Sequence, residues 1–595
     1  MLINAKDILK NMKLSPSFVC IAISLASAFS VATPQQSALS RLNQLDATQQ
    51  QRQVQQQQAQ ASQFQSAADV RVETGLQENL RLSNYEMPCY PIHRISLIDY
   101  SPDNSLQTSR FQWAFNQASK DLKLTLPHCF GGEGMGILMK QVQNRIIEKG
   151  YVTTRVVVQE QDLRSGNLVL TVILGKVGNA IVADSSEVPR FTRFQSWNGF
   201  TFTKGDLLNV RDIEQSLENL KRVPTVEANI EILPSENAEN VGESDLKVSY
   251  TQSLPFRFNV SLDDSGSRST GKLQGSGTFS FDNLFSANDL FYTSFTHSIK
   301  SGEDDDGSRA SKNLTFYYSI PFGYWTFSVS QNYSRYHQAV FGAFNQTYQY
   351  SGESNNSKLT LSYLLYRDAV RKTTLSGGFW SRQSKNFIDN TEVEVQRRRM
   401  AGWEAGISHK EYLGDATLEL GAHFKRGTGA RGSLSAPEEL WNEGTSRPKI
   451  ITASISLTKP FFVGTQPWQW QSDWSAQWNK TRLIAQDYFS IGGRYTVRGF
   501  DGELTLSGER GWLWRNEFAW NVNSKGHQLY WALDGGRVSS ITASQLGHHL
   551  VGTALGLKGG WKGVYYDVFV GRPIRKPEGF RTSDAVVGFN LGYRF

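Results

Sequence analysis

The chain has 595 residues, 39% hydrophobic, 12% aromatic and 20% charged, with 51 glycines, 17 prolines and a mean hydropathy of -0.41. So polar a chain cannot hold a series of transmembrane helices, each of which needs about 20 consecutive apolar residues; a polar average rich in aromatics and glycine suits a large β-barrel and speaks against a soluble cytosolic enzyme. The net charge of +7 comes from 62 basic and 55 acidic residues without a basic block, so it gives no pointer to nucleic acid.

At the N-terminus Lys6, Lys10 and Lys13 precede an apolar run from Phe18 to Val31, which closes on Ser30-Val31-Ala32. A charged region, a short hydrophobic region and a small-x-small site form a secretory signal, with cleavage expected near Ala32 and with Met1 or Met12 as the start. Pro34 and a Gln-rich stretch follow at once, which argues against a retained anchor. Cys20 lies near the start of the apolar run, the wrong end for lipidation, and leaves with the signal. The mature chain keeps Cys89 and Cys129, which in an exported protein are expected to form one disulfide. Only His128 stands near them, so no metal site is expected.

From Gln35 to Gln65 the sequence is low in complexity, with Leu39, Leu42 and Leu45 as a thin apolar stripe. Two readings stand open: a disordered tether, or a helix whose polar surface suits a polar cavity. From Tyr90 to Gln252 apolar strands alternate with amphipathic helices. Tyr90 to Leu97 reads as a strand and Phe111 to Leu122 as a helix. Leu138, Val142 and Ile146 mark a second helix that Gly150 ends as its C-cap. Val152 to Val158 and Leu168 to Leu174 read as strands joined by a turn at Arg164-Ser165-Gly166. The pattern recurs after Gly175 with a weaker first helix, a helix through Leu207, Val210, Ile213, Leu217 and Leu220, and strands Val226 to Leu233 and Ser244 to Tyr250. Two small α+β domains in tandem are expected.

From Leu254 to Phe595 helical periodicity disappears. Val587, Phe589, Leu591, Tyr593 and Phe595 share one face of the last segment, and Gly588, Asn590, Gly592 and Arg594 the other. Bulky apolar residues opposite Gly, Asn or Arg at period two describe a strand between lipid and a wet lumen. About 340 residues at roughly 20 per strand and connection accommodate about 16 antiparallel strands. Pro321-Phe322-Gly323 and Asn523-Ser524-Lys525-Gly526 read as short periplasmic turns.

Glu148-Lys149-Gly150-Tyr151-Val152-Thr153-Thr154-Arg155, with Gln161-Asp162-Leu163 and Gly166-Asn167-Leu168, resembles the first periplasmic (POTRA) domain of two-partner secretion transporters. Asp263-Asp264-Ser265-Gly266 with Thr270-Gly271, Asp282-Asn283-Leu284, Gly492-Gly493-Arg494-Tyr495-Thr496-Val497-Arg498-Gly499-Phe500, Arg515-Asn516-Glu517 and Asp534-Gly535-Gly536 resemble that family's barrel motifs, in the right order. The resemblance implies a membrane β-barrel of 16 strands preceded by two POTRA domains and an N-terminal plug helix. The implied boundaries are signal peptide 1–32, plug helix 33–62, linker 63–87, POTRA domains 88–175 and 176–253, and barrel 254–595. It also implies export of one large secreted partner with an N-terminal secretion domain, such as a haemolysin, filamentous adhesin or contact-dependent inhibition toxin. The protein would sit in outer-membrane lipid as a monomer, inserted there by the barrel-assembly machinery, and would need no cofactor.

Within that frame, alternation points Asp534 into the lumen with Gln528, Tyr530 and Ala532, opposite Leu529, Trp531 and Leu533. Arg498 lies in a long glycine-bounded loop able to fold inward, and a guanidinium pairs with a carboxylate in bidentate fashion. The resemblance implies that Val497-Arg498-Gly499-Phe500 is locked inside the barrel through Arg498 and Asp534; otherwise they are an exposed loop arginine and an unrelated lumen aspartate. Leu39, Leu42 and Leu45 would line the plug. No nucleophile elbow, zinc-protease helix or phosphate-binding loop occurs, so no catalytic residue is assigned. The related barrel-assembly insertases are the closest alternative, although they commonly carry more POTRA domains; a passive porin would carry none.

Overall fold

The structure, a computed structural model, describes residues 33–64, 68–72, 80–83, 86–100, 108–188, 196–235, 241–300, 309–341, 346–523, 526–539 and 547–595, with side chains from residue 46 onward except 63. The expected signal segment, 1–32, lies outside the described residues. In chain order the protein is one long helix, Thr33–Phe64, two α+β units, and a closed antiparallel barrel.

In the first unit Asn167–Ile173 is the central strand, parallel to Arg94–Asp99 and antiparallel to Arg155–Val157. Helices Gln112–Asp121 and Gly132–Glu148 cover it through Ala114, Ala118, Leu138, Val142 and Ile146, which meet Leu97, Leu168, Leu170 and Val172 in a fully buried core. The first strand is not continuous from Tyr90 to Leu97. Tyr90–Ile92 pairs instead with His128–Phe130, a short strand between the two helices. Pro91 has no N–H for a central ladder, so it sits in a short separate pairing. The Cys89–Cys129 disulfide staples this ribbon, with Cα atoms 5.4 Å apart. Lys149, not Gly150, is the C-cap of the second helix. Gly150 follows it at φ +98°, and an added Cβ there would lie 2.1 Å from Asn209 Oδ1. Its carbonyl accepts from Val210 N (2.9 Å), so the two units are joined where the left-handed residue turns the chain.

The second unit repeats the plan. Glu243–Gln252 is central, parallel to Lys176–Asp184 and antiparallel to Val226–Pro234. Asn209 caps the helix Val210–Lys221 by accepting from Arg211 N at 2.9 Å. The weak first helix is a single turn, Ser196–Gly199, and it docks the domain to the barrel. There Asn198 Nδ2 donates to Pro321 O (3.0 Å), and Trp197 meets the Phe322 ring edge-on at 5.5 Å.

The barrel strands are Phe256–Asp263, Gln274–Asp282, Leu290–Ser298, Ala310–Phe322, Trp325–Phe341, Thr347–Arg367, Arg371–Ile388, Arg398–Leu413, Ala416–Thr428, Lys449–Val463, Gln466–Asn479, Arg510–Asn521, Gln528–Ser539, His549–Trp561, Val564–Arg575 and Val586–Arg594. The sixteenth closes on the first over five residue pairs, from Asn590↔Asp263 to Arg594↔Asn259, so no sheet edge is left to face lipid. Phe256, Phe258, Val260, Leu529, Trp531, Val568, Val570, Val587 and Leu591 are exposed on the outer face, where lipid covers them. Ser276, Thr278, Ser280, Ser294 and Thr296 are buried inside. Inward glycines make room for inward rings: a Cβ on Gly556, Gly588 or Gly592 would strike Tyr530, Phe569 or Tyr565 at 2.2–2.3 Å. Of the two short turns read from sequence, Gly323 closes the first, at φ +57° between the fourth and fifth strands; residues 524 and 525 of the second lie outside the described residues.

Closing a loop of 40 residues in the unfolded chain is worth about 3 to 4 kcal/mol on chain-entropy grounds. The pair Cys89→Ser and Cys129→Ser is therefore expected to make the first unit the earliest site of cleavage in limited proteolysis while heat-modifiable barrel stays at wild-type level. Non-reducing peptide mapping of the wild-type protein should recover Cys89 and Cys129 in one linked species.

Candidate functional site

The segment between the eleventh and twelfth strands, residues 480–509, folds into the lumen. Arg498 is nearly buried and sits on Asp534 in bidentate fashion: Nε donates to Oδ2 at 2.7 Å and Nη2 to Oδ1 at 2.9 Å, while the Arg498 amide adds a bond of 3.0 Å to Oδ2. Nη1 reaches Glu517 at 2.5 Å and Nη2 the carbonyl of Asn516 at 3.2 Å. Lys558 holds the other Glu517 oxygen. Two acids on adjacent strands thus meet one fixed fork, which a lysine could not match. Val497 and Phe500 are buried with Ile491, Leu506, Leu513, Val538, Leu550 and Phe580. Gly499 has φ +100°, and a Cβ there would lie 2.4 Å from Arg572 O; a Cβ on Gly552 would strike Arg498 O at 2.1 Å. The loop can press on the wall because both surfaces lack side chains at that point.

Two further anchors were not anticipated from sequence. Asp487, at the start of the loop, is buried across the lumen between Arg382 Nη2 (3.0 Å) and Lys425 Nζ (3.5 Å), from the seventh and ninth strands. Arg494 donates to Asp264 at 2.6 Å, tying the loop to the connection after the first strand. The available signal was a basic residue at an inward strand position, which needs an acid from elsewhere.

The N-terminal helix passes through the same lumen. Asp46 accepts from Tyr336 Oη (2.9 Å) and Gln486 Nε2 (3.1 Å), and Gln51 Nε2 donates to the carbonyls of Ala485 (3.1 Å) and Tyr488 (2.9 Å). Arg52 donates to Gly502 O at 2.5 Å, Gln56 to Ser265 Oγ at 2.8 Å, and Gln60 to Thr296 Oγ1 at 3.2 Å. Phe64 packs on Tyr292 with ring centroids 5.6 Å apart. Amide side chains meet serine, threonine and carbonyl oxygens around the wall, and the helix rests on the loop at Ala485–Tyr488. Leu39, Leu42 and Leu45 fall within the helix, but their side chains lie outside the described residues. Gaps remain beside it, including a cavity of about 290 Å³ lined by Gln56, Gln60, Arg498, Glu517 and Asp567.

A barrel of sixteen strands with a lumen-filling helix, an inward loop and two periplasmic domains defines an outer-membrane transporter of the two-partner secretion type. Residues 242–559 match the family described as haemolysin secretion/activation protein ShlB/FhaC/HecB, and residues 112–175 and 176–234 match POTRA domains, the former of ShlB type. The chain belongs to that family, and it resides in the outer membrane with its POTRA domains in the periplasm. It is 33% identical to the outer membrane transporter CdiB-2 of Burkholderia pseudomallei (strain 1026b), over 96% of this chain and 97% of that protein. It is 23% identical to the haemolysin transporter protein ShlB of Serratia marcescens, over 66% of this chain and 68% of that one. CdiB from Acinetobacter baumannii superposes with a TM-score of 0.80 at 28% identity, covering 93% of this chain and 99% of that structure.

The helix and the Asp487 anchor generate a pair of expectations in planar bilayers. Deletion of residues 35–60 should leave heat-modifiable barrel intact and raise ion conductance, since a sixteen-stranded barrel encloses an aqueous channel. Asp487→Asn leaves the partly buried Arg382 and Lys425 without their acid and loosens the loop under the helix. Two partly buried cations left without their acid repel one another, so open events should rise by about tenfold. Unchanged conductance in either folded variant would show that the helix seat lies elsewhere.

Proposed function

We propose that the protein captures one large partner polypeptide in the periplasm and exports it through the barrel, and that this partner is a contact-dependent inhibition toxin, a haemolysin or an adhesin. The observation that carries this reading is a lumen filled mainly by polar, replaceable contacts: a helix held largely by glutamine side chains can leave while uncovering little apolar surface, chiefly Phe64 against Tyr292. A route packed with leucine against leucine could not be cleared so cheaply.

Capture would fall to the POTRA sheets. Lys176–Asp184 is an edge strand with Ile181 and Val182 exposed, and an extended client can add to such an edge through main-chain bonds that tolerate varied side chains. The periplasm supplies no ATP and the sequence carries no nucleotide-binding motif. Direction would come from folding outside the cell, because a folded segment cannot slide back. Arg498 and Asp534 would act as a loop lock that keeps 480–509 in register while the lumen changes occupant.

Removing either partner leaves the other charge buried, a loss of about 3–5 kcal/mol in comparable pairs. Arg498→Ala and Asp534→Ala are each expected to lower client secretion by about tenfold or more with near-normal barrel assembly, and the double variant should be little worse because both act through one contact. Secretion normalised to heat-modifiable barrel is the measurement. Wild-type secretion from both single variants discards the lock, and additive losses assign the residues separate roles.

A further inference from the structure

Between the N-terminal helix and the POTRA domains, residues 69–72 thread the gap between helix Val210–Lys221 and the periplasmic ends of the sixth to eighth barrel strands. Their main chain is held by side chains. Val70 N donates to Glu218 Oε1 (2.9 Å) and Val70 O accepts from Arg367; Val72 N donates to Glu214 Oε1 (2.7 Å) and Val72 O accepts from Arg211 at 3.3 Å. Each valine thus has both its N–H and its C=O read by one acid and one arginine.

The spacing has a simple basis. Glu214 and Glu218 stand four residues apart on a helix, about 6 Å along its axis, close to the roughly 6.6 Å two-residue repeat of an extended chain. One helix face therefore reads every second residue of an extended segment running opposite to it. The readers are themselves fixed: Arg367 Nε meets Glu214 at 2.8 Å and its Nη1 meets Glu218 at 3.0 Å, with Arg367 and Glu214 nearly fully buried. Arg211 is 5% exposed, and its Nε and Nη2 have no hydrogen-bond partner among the described residues. Val70 also packs on the core of the second POTRA domain, and Asp69 sits on Lys372 (2.7 Å), Lys410 (3.0 Å) and Tyr412. Burial alone would raise the Asp69 carboxyl, but hydrogen bonds from Lys372 and Tyr412 and the charge of Lys372 outweigh it and hold it well below the usual carboxylate range. Its attraction is thus present at neutral pH and fades only as pH falls toward that depressed value. Beside this cradle opens a cavity of about 580 Å³ at the lumen mouth, lined by Asp69, Gln215, Glu218, Lys372 and Lys410.

We propose that this cradle is the entry site for the exported polypeptide, and that Asp69–Val72 occupies it as a resident stand-in. An extended client segment takes the same place, its amides on Glu218 and Glu214 and its carbonyls on Arg367 and Arg211, and its arrival expels the linker and with it the helix. This rests on the export reading above and adds the site and the mode of recognition. Main-chain recognition suits a client whose side chains differ along its whole length, while the basic pocket under Asp69 and the apolar rim under Val70 favour segments with an acid followed by a branched apolar residue.

The test uses the full-length transporter in liposomes and a benzophenone-bearing synthetic peptide with the sequence of residues 66–76. The tethered linker competes at about millimolar effective concentration, so the cradle is vacated by Val70→Pro, or independently by Val72→Pro, each of which removes one N–H from the linker. The peptide is expected to label helix 210–221 about tenfold more in these variants than in wild type. N-methylation at its two valine amides should cut labelling by about tenfold or more, the loss of two charge-assisted bonds. Exchange of those valines for isoleucine and threonine should change it by less than about threefold. Equal labelling by the N-methylated peptide, or no labelling in either vacated variant, overturns the cradle. Client secretion scored in the same strains separates the two ideas: normal secretion without labelling refutes the cradle and leaves export standing, whereas a wild-type protein that secretes nothing contradicts export itself.

Discussion

A closed sheet of sixteen strands satisfies its own backbone, but it leaves an inner face of serine, threonine and asparagine around a space wide enough for water. That wet inner face is the constraint on which the rest depends. Whatever fills it must offer hydrogen bonds at every depth and, on the export reading proposed above, must also be able to depart. Gln49, Gln51, Gln56 and Gln60 meet the first demand, each finding a hydroxyl or carbonyl on the wall or the inward loop. Because such bonds exchange with water at little net cost, the second demand is met by the same chemistry.

On that reading the inward loop faces the opposite requirement and stays in place. Its anchors are accordingly charged and wholly or partly buried: Arg498 between Asp534 and Glu517, Asp487 between Arg382 and Lys425, and Arg494 on Asp264. Pairs of this kind contribute little over apolar packing but are costly to break singly, which makes them better at fixing geometry than at adding stability. The helix rests on this loop through Ala485, Gln486 and Tyr488, so on the export reading proposed above a departing element is seated on one that stays. At the periplasmic end the POTRA helix 210–221 and the linker share a second ionic cluster.

Much of this was legible in the sequence because membranes impose alternation. Val587, Leu591 and Tyr593 against Gly588 and Gly592 favour a barrel over a β-sandwich, whose polar face would carry Lys, Glu and Thr, and the second POTRA helix announced itself through Leu138, Val142 and Ile146. The helix 33–64 was ambiguous for a physical reason: a polar helix made for a polar cavity has the composition of a tether, and only the cavity tells them apart. His128–Phe130 escaped notice because a three-residue strand has too short a period to show. Asp487 was missed since its partners lie about 60 and 100 positions away on strands whose inward faces become visible only when the barrel closes. Arg498 and Asp534 were singled out through their motifs, and Glu517 stood in a quoted motif without a role.

The central claim is that the lumen is the export route and that the helix must vacate it. Gln60→Cys with Thr296→Cys, whose native side chains lie 3.2 Å apart, would lock the helix to the third strand. Client secretion measured in the oxidised double variant, against each single cysteine variant at equal heat-modifiable barrel, decides the matter. The account predicts that the locked protein secretes none while both singles secrete normally; undiminished secretion from fully cross-linked protein would contradict it.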